Sequence, residues 1–254
     1  MGTVTRDDLV TYLDEYLRIA EIEDTSQNGL QVEGPEEVTR VAFAVDACLA
    51  AFERAVAEGA QILIVHHGLF WDKPYRLVGP FYQRVRTLIE GKCGLYAAHL
   101  PLDAHPEMGN NAEMARLLGL KEVRPFGKYH GVEIGVAGVL EPPLEIPALI
   151  GRLIQALNRP PVRVLAHGPA KAHRIGCISG FAVSMIDQAD EAGLDTFITG
   201  ETSHAYYHLA AERGLNVLFG GHYATETLGV KALARHLEER FGLETVFLDI
   251  PTGM

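Results

Sequence analysis

Apolar positions along the 254-residue chain fall into two alternating patterns, one at helical spacing and one in short continuous runs. Residues 5–18 (TRDDLVTYLDEYLR) put Leu9, Tyr12, Leu13, Tyr16 and Leu17 on one helical face, with Thr5 placed to cap the start. A strand is predicted at 41–46 (VAFAVD), a helix from Leu49 to Glu58, and a buried strand at Ile62–Val65 between Gly59 and Gly68. A helix at Pro80–Glu90, a strand at Leu95–His99 and a helix after Gly109 continue the alternation.

The Pro-bearing, turn-rich stretch Arg124–His130 then interrupts it, and the pattern restarts. GVEIGVAGVL reads as a strand, Ile146–Leu157 as a helix, and VRVLAHG and RIGCISG as strands. Helices at Met185–Ala192, His204–Arg213 and Thr225–Phe241 alternate with strands at Thr196–Thr199, Asn216–Phe219 and Thr245–Ile250. Strands alternating with helices predict an α/β protein with mixed sheets flanked by helices. We divide it into two related α/β lobes, 1–125 and 126–254, with an approximate boundary because such lobes can interleave. The lobes echo each other: AEGAQILIVHHG (57–68) parallels EAGLDTFITGE (191–201), and His99-x-x-x-Asp103 parallels His222-x-x-x-Glu226.

Composition narrows the function classes. A net charge of −11 with no Lys/Arg run argues against nucleic-acid or anionic-membrane partners, since phosphates would be repelled over most of the surface. Cys48, Cys93 and Cys177 are odd in number, lie far apart and form no CxxC pair. They suggest neither a disulfide framework nor a thiolate metal site, and each reads as a small buried hydrophobe. The start MGTVTRDDLV lacks the apolar core of a signal peptide, Arg6 stands where a myristoylation signal needs Ser or Thr, and no apolar run reaches bilayer-spanning length. A cytoplasmic protein is expected.

Chemistry concentrates where strands end. His66-His67, His99 to Asp103, Thr199-Gly200-Glu201 and Gly220-Gly221-His222 each follow an apolar run, and carboxyl ends of strands are where α/β sheets hold ligands. Imidazole and carboxylate are the ordinary donors for zinc, iron or manganese when thiolates are absent. Each piece has a plainer reading: a loop histidine, an Asp103 turn or cap, a solvated i,i+4 contact between His222 and Glu226. Consecutive histidines cannot both point one way along a regular strand, but beyond its end they can serve two ions. Together, His66, His67, Asp103, His222 and Glu226 form a candidate metal set. His204 and His208 are also i,i+4; His208 reads as surface and His204 as a cleft or substrate contact. His105, His130, His167, His173 and His236 show no partner pattern, Gly220-Gly221 lacks the spacing and lysine of a phosphate loop, and no serine-hydrolase elbow is present.

The segments SQNGLQVEG (26–34), AVDACLAAFERAVAEGAQILIVHHGLFW (44–71), AAHLPLDAHPEMGNNAEMARLLGL (97–120), 195–237 and the closing FLDIP resemble the NIF-three-like family, also called GTP cyclohydrolase I type 2 homologues. Residues 125–175 match only in general character. The resemblance implies a two-lobed α/β fold with a dinuclear site in the cleft, assembled as a homohexamer. Carried over, His66 and Asp103 would bind one ion, His67 and His222 the other, and Glu226 would bridge both. Three protein groups per ion, with the glutamate shared, would leave each cation open to water or substrate, an arrangement suited to hydrolysis. Glu201 is then a candidate proton shuttle, and Asn28, Gln31, His99, Asn110 and His204 are candidate supporting or substrate contacts. The leading expectation is a metal-dependent hydrolase of a nucleotide-like or small heterocyclic substrate. The alternative is a non-catalytic metal-binding or protein-interaction factor, which turnover of a nucleotide panel would distinguish.

Overall fold

The computed structural model describes residues 2–254. In chain order its elements are β1 (Val4–Thr5), α1 (Arg6–Tyr16), β2 (Gly29–Val32), β3 (Glu37–Val38), β4 (Arg40–Asp46), α2 (Leu49–Ala57), β5 (Ile62–His67), α3 (Gly79–Glu90), β6 (Gly94–Ala97) and α4 (Leu100–Asp103). There follow α5 (Asn110–Leu118), β7 (Lys121–Tyr129), β8 (Val132–Glu145), α6 (Ile146–Leu157), β9 (Arg163–Ala166) and β10 (Lys171–Ile178). The chain closes with α7 (Ile186–Glu191), β11 (Thr196–Thr199), α8 (Tyr207–Glu212), β12 (Asn216–Phe219), α9 (His222–Phe241) and β13 (Glu244–Phe247).

Two compact units form, and they interleave in sequence. One comprises the chain up to Leu102 together with Val230–Ile250; the other comprises Asp103–Gly229 and Pro251–Met254. The division therefore falls away from residues 125 and 126. Residues 124–130, read from the sequence as a turn-rich boundary, lie largely in β7, which pairs antiparallel with β8 inside the second unit.

In the first unit a five-stranded sheet runs in the order β13-β4-β5-β6-β2. The pairs from β13 through β6 are parallel and β2 closes the edge antiparallel. Parallel strands are covered on both faces, which is why Ile62–Val65 and Gly94–Ala97 are apolar or small throughout and buried. On one face Phe52, Ala51 and Ala55 of α2 and Leu88 of α3 pack against Ala42, Leu63, Val65 and Leu95. Helix α1 starts as expected, with Thr5 Oγ1 accepting from the Asp8 N–H at 3.1 Å.

In the second unit a six-stranded sheet runs β7-β8-β10-β11-β12-β9. Strands β10, β11 and β12 form a parallel run, extended by antiparallel partners on both sides. The i,i+3/i+4 stripe of α6, Leu149, Leu153 and Leu157, packs with Met114 and Leu118 of α5 over Ile175, Cys177, Ile198 and Leu218. Each unit thus has a parallel run of strands at its centre, and the carboxyl ends of those strands carry the polar residues singled out above. Cys93 and Cys177 are buried thiols and burial pushes both up to about 12, whereas Cys48 is only half-buried, at the start of α2. No helix among the described residues is long and apolar enough to cross a membrane.

Candidate metal centre

The first unit carries a cluster of imidazoles. Strand β5 extends through both histidines: His67 pairs in register with Asp46 of β4, two residues beyond the predicted strand end. His66 is fully buried and His67 half-buried, yet their rings lie 4.8 Å apart, so the end of the strand does not send them to opposite faces. His99 follows β6, and its ring sits 5.1 Å from His66 and 5.6 Å from His67. Each of the three offers a ring nitrogen within 4.8 Å of the others.

Every one of these rings is held at Nδ1. His66 Nδ1 lies 3.0 Å from the Ala98 carbonyl, His67 Nδ1 lies 2.8 Å from Asp46 Oδ1, and His99 Nδ1 lies 3.0 Å from both carboxylate oxygens of Asp24. An acceptor at Nδ1 favours a proton there, so a ring in its neutral form presents its lone pair on Nε2. That is how ligating histidines are oriented in metal sites.

Asn28 and Gln31 serve this cluster as structural clamps. Asn28 Nδ2 donates to Asp24 Oδ2 at 2.9 Å while its Oδ1 accepts from the His99 N–H at 2.8 Å. Gln31 Oε1 accepts from the N–H groups of Leu69 and Phe70, at 2.7 and 3.2 Å, and its Nε2 donates to Gln27 and Phe70 carbonyls. The loop after His66-His67-Gly68 is thereby fixed. An added Cβ at Gly68 would lie 2.4 Å from Gln31 Nε2, which accounts for the glycine.

The second unit carries two candidate carboxylates and an imidazole of its own. Asp103, buried at the end of α4, accepts at Oδ1 from Asn110 Nδ2 (2.9 Å) and Ser179 Oγ (2.7 Å). Asn110 Oδ1 in turn accepts from the Gly229 N–H at 2.7 Å, tying α5 to α9. Helix α9 begins at His222, earlier than the expected Thr225, which places His222 and Glu226 one turn apart on one face. His222 Nε2 and Glu226 Oε1 lie 3.1 Å apart, and His222 Nδ1 lies 2.8 Å from Glu201 Oε2. Glu226 is 3% exposed. Glu201, the candidate shuttle, has the geometry of a carboxylate that orients an imidazole.

One glycine joins these pieces. Gly180, at φ +62°, follows Ser179 after β10, and a Cβ built there would sit 2.4 Å from Glu226 Oε1 and 3.3 Å from His222 Nε2. The backbone thus approaches the donors as only glycine allows. Thr225 Oγ1 accepts from the Gly180 N–H at 3.1 Å and fixes the approach.

The donor set fits a first-row divalent ion. Ligand–metal distances of about 2.0–2.2 Å put neighbouring donors roughly 3 Å apart, as the His222–Glu226 pair is. Imidazole nitrogens and carboxylate oxygens with no thiolate suit zinc, iron or manganese. His204 is exposed and borders a surface pocket with Arg163, Thr202, Ser203 and Tyr207, apart from the donors of its own unit. Asp24, Asp46, Ser179 and Asn111, whose Oδ1 accepts from the Ser179 N–H at 2.7 Å, support the donors and were not singled out from the sequence. Asp46 and Ser179 carried a usable signal, a polar residue ending an apolar strand; Asp24 and Asn111 carried none.

Comparison with known proteins follows the same lines. The model of a family described as Duf34/NIF3 (NGG1p interacting factor 3) matches residues 4–253. A Deinococcus radiodurans protein named GTP cyclohydrolase 1 type 2 homolog is 47% identical over 253 residues, covering 100% of this chain and 96% of its own. A Pyrococcus abyssi protein of the same name is 46% identical over 249 residues, covering 98% and 99%. The crystal structure of a Thermus thermophilus protein superposes with a TM-score of 0.93 at 47% identity, covering 99% of this chain and 100% of that one.

Proposed function

The chain belongs to the Duf34/NIF3 family, and from that premise we propose that it is a metal-dependent hydrolase of a nucleotide-like or small heterocyclic substrate. In this reading His66, His67, Asp103, His222 and Glu226 together hold two divalent cations, zinc, iron or manganese. His66 and Asp103 serve one ion, His67 and His222 the other, and Glu226 serves both.

The observation that carries the proposal is the orientation of the imidazoles. All three ligand histidines have Nδ1 against an acceptor, the Ala98 carbonyl, Asp46 and Glu201, so all three present Nε2. A surface or core histidine has no need of so uniform a tautomer. The buried carboxylates of Asp103 and Glu226 add negative charge that a low-dielectric site tolerates best beside cations.

Bound divalent cations would supply Lewis acidity and lower the pKa of nearby water. The protein's own part is positional. Glu201 and Asp46 hold imidazoles at fixed angles, Ser179 and Asn110 aim the Asp103 carboxylate, and Gly180 opens the space beside Glu226. Two thiols deep in the core and no disulfide among the three cysteines agree with a reducing, cytoplasmic setting. A homohexamer is part of the same proposal.

The test is elemental analysis of the purified protein followed by incubation with GTP and other nucleotides. Two divalent ions per chain are expected, with turnover that His222→Ala abolishes and a particle mass of six chains by light scattering. A native preparation free of divalent ions, or equal turnover by the variant, would overturn the enzymatic reading. Metal uptake without turnover of any nucleotide would favour a binding or interaction factor, the role named in the family's description.

A further inference from the structure

We propose that Phe181 is the residue that recognises the substrate, a stacking ledge for a planar heteroaromatic ring; this rests on the metal-centre reading above. From Ile175 to Ile186 the chain is buried except at Phe181 and Ser184. Phe181 is 53% exposed while its neighbours Ser179, Ala182 and Val183 are 6%, 3% and 1% exposed. A benzyl group left in water within a buried run costs hydrophobic free energy that turning it inward would recover.

The loop that carries it is fixed on both sides. Ser179 donates its N–H to Asn111 Oδ1 at 2.7 Å. Gly180 donates to Thr225 Oγ1 at 3.1 Å, and its carbonyl accepts from the N–H groups of Gly200 and Glu201 at 3.0 and 2.9 Å. Ala182 donates to Thr199 Oγ1 at 3.3 Å. The exposed ring is thus presented by a rigid backbone and not by a wandering loop, and a ring with two side-chain torsions loses little entropy on contact.

Its position gives it a purpose. Gly180, the residue before it, is the one whose missing Cβ makes room for Glu226 Oε1 and His222 Nε2. Phe181 Cα is one peptide, about 3.8 Å, further along. A substrate with its reacting atom at Glu226 and His222 would lie beside the loop that presents Phe181. Offset or edge contact at about 4.5–7 Å between centroids is the ordinary geometry of aromatic pairs. Heteroaromatic rings gain most from such a ledge, because stacking adds to simple burial.

The test uses full-length, metal-loaded protein and three probes, GTP, guanosine and inorganic tripolyphosphate, with affinities measured by calorimetry. Phe181→Ala is expected to weaken GTP and guanosine about tenfold, as loss of one stack does, while leaving tripolyphosphate and metal content unchanged. Phe181→Trp keeps both guanine ligands at or above wild-type affinity. The proposal is overturned if Phe181→Ala binds GTP and guanosine as the wild type does, if it loses all three probes alike, or if the loaded wild type binds tripolyphosphate alone or none of the probes. Metal content and tripolyphosphate binding report on the centre itself, so failure there is separable from failure of the ledge.

Discussion

His67 Nδ1 and Asp46 Oδ1 lie 2.8 Å apart, joined across the register that sets the two residues side by side at the ends of β5 and β4. A strand-end carboxylate thus fixes the ring that the neighbouring strand delivers. Asp46→Ala removes this hold without touching a core side chain, since Asp46 is itself partly exposed. Metal affinity is expected to fall about 10–100-fold while the fold is kept, as is usual when the carboxylate behind a ligating histidine is lost. Chelator competition on the variant and the wild type, with circular dichroism as the folding control, measures it.

Gly180 is the second positional device. Gly180→Ala would place a Cβ 2.4 Å from Glu226 Oε1 at φ +62°. Gly59 has nearly the same backbone, φ +69°, with nothing within 4 Å of the added carbon. Both substitutions should cost about 1–3 kcal/mol through left-handed strain. Only Gly180→Ala should also lose metal, because only there does the methyl displace a donor. Thermal unfolding and metal content of the two variants separate strain from obstruction.

Much of this arrangement was legible because strands and helices carry strong periodic signals. Ile146–Leu157 and Asn216–Phe219 stand where their apolar patterns put them; of the five proposed ligands, His66 and His67 end β5, and Asp103, His222 and Glu226 lie in the helices that follow β6 and β12. Strand β7 was not legible, because Pro125 and Gly127 read as turn residues. It pairs only with β8, at the sheet edge, where a missing N–H is tolerated. Gly127 is required at φ +76° because a Cβ there would meet Ile178 Cδ1 at 2.2 Å. The place where the chain divides was hidden for a different reason. It depends on β13 pairing with β4 from the far end of the sequence, as Phe247 does with Phe43, and local patterns carry no such information. Asp24 lay equally out of reach, in a loop with no periodicity.

Asn110 links two parts of the second unit, and its removal should be felt in both. Its amide donates to Asp103 at 2.9 Å and accepts from the Gly229 N–H at 2.7 Å, with the residue fully buried. Asn110→Ala leaves both groups short of a bond, at an expected cost of about 1–3 kcal/mol in stability. Asn110→Asp keeps the shape but sets a second carboxylate beside Asp103, so its destabilisation should exceed that of alanine at neutral pH and shrink as the pH falls. Urea unfolding of the two variants at neutral and mildly acidic pH checks the order.

Acid should act on the first unit through Asp24. Burial alone would push its carboxyl up, but the hydrogen bond and charge of the His99 ring, with the Asn28 amide and the Ser26 N–H, hold it down at about 2. The folded value lies below the ordinary 3.8, so the folded state favours the ionised form and gains stability from it. That contribution is complete above the unfolded value and is lost as the pH falls from about 4 through about 2. The difference corresponds to about 2 kcal/mol, the order expected for a carboxylate 2% exposed and held by several donors. Asp24→Asn should therefore be less stable than the wild type at pH 6 by about that amount, and the gap should close toward pH 2. Denaturant unfolding across this range decides the matter: a gap that stays constant, or widens on acidification, would show that ionised Asp24 does not hold the loop against His99.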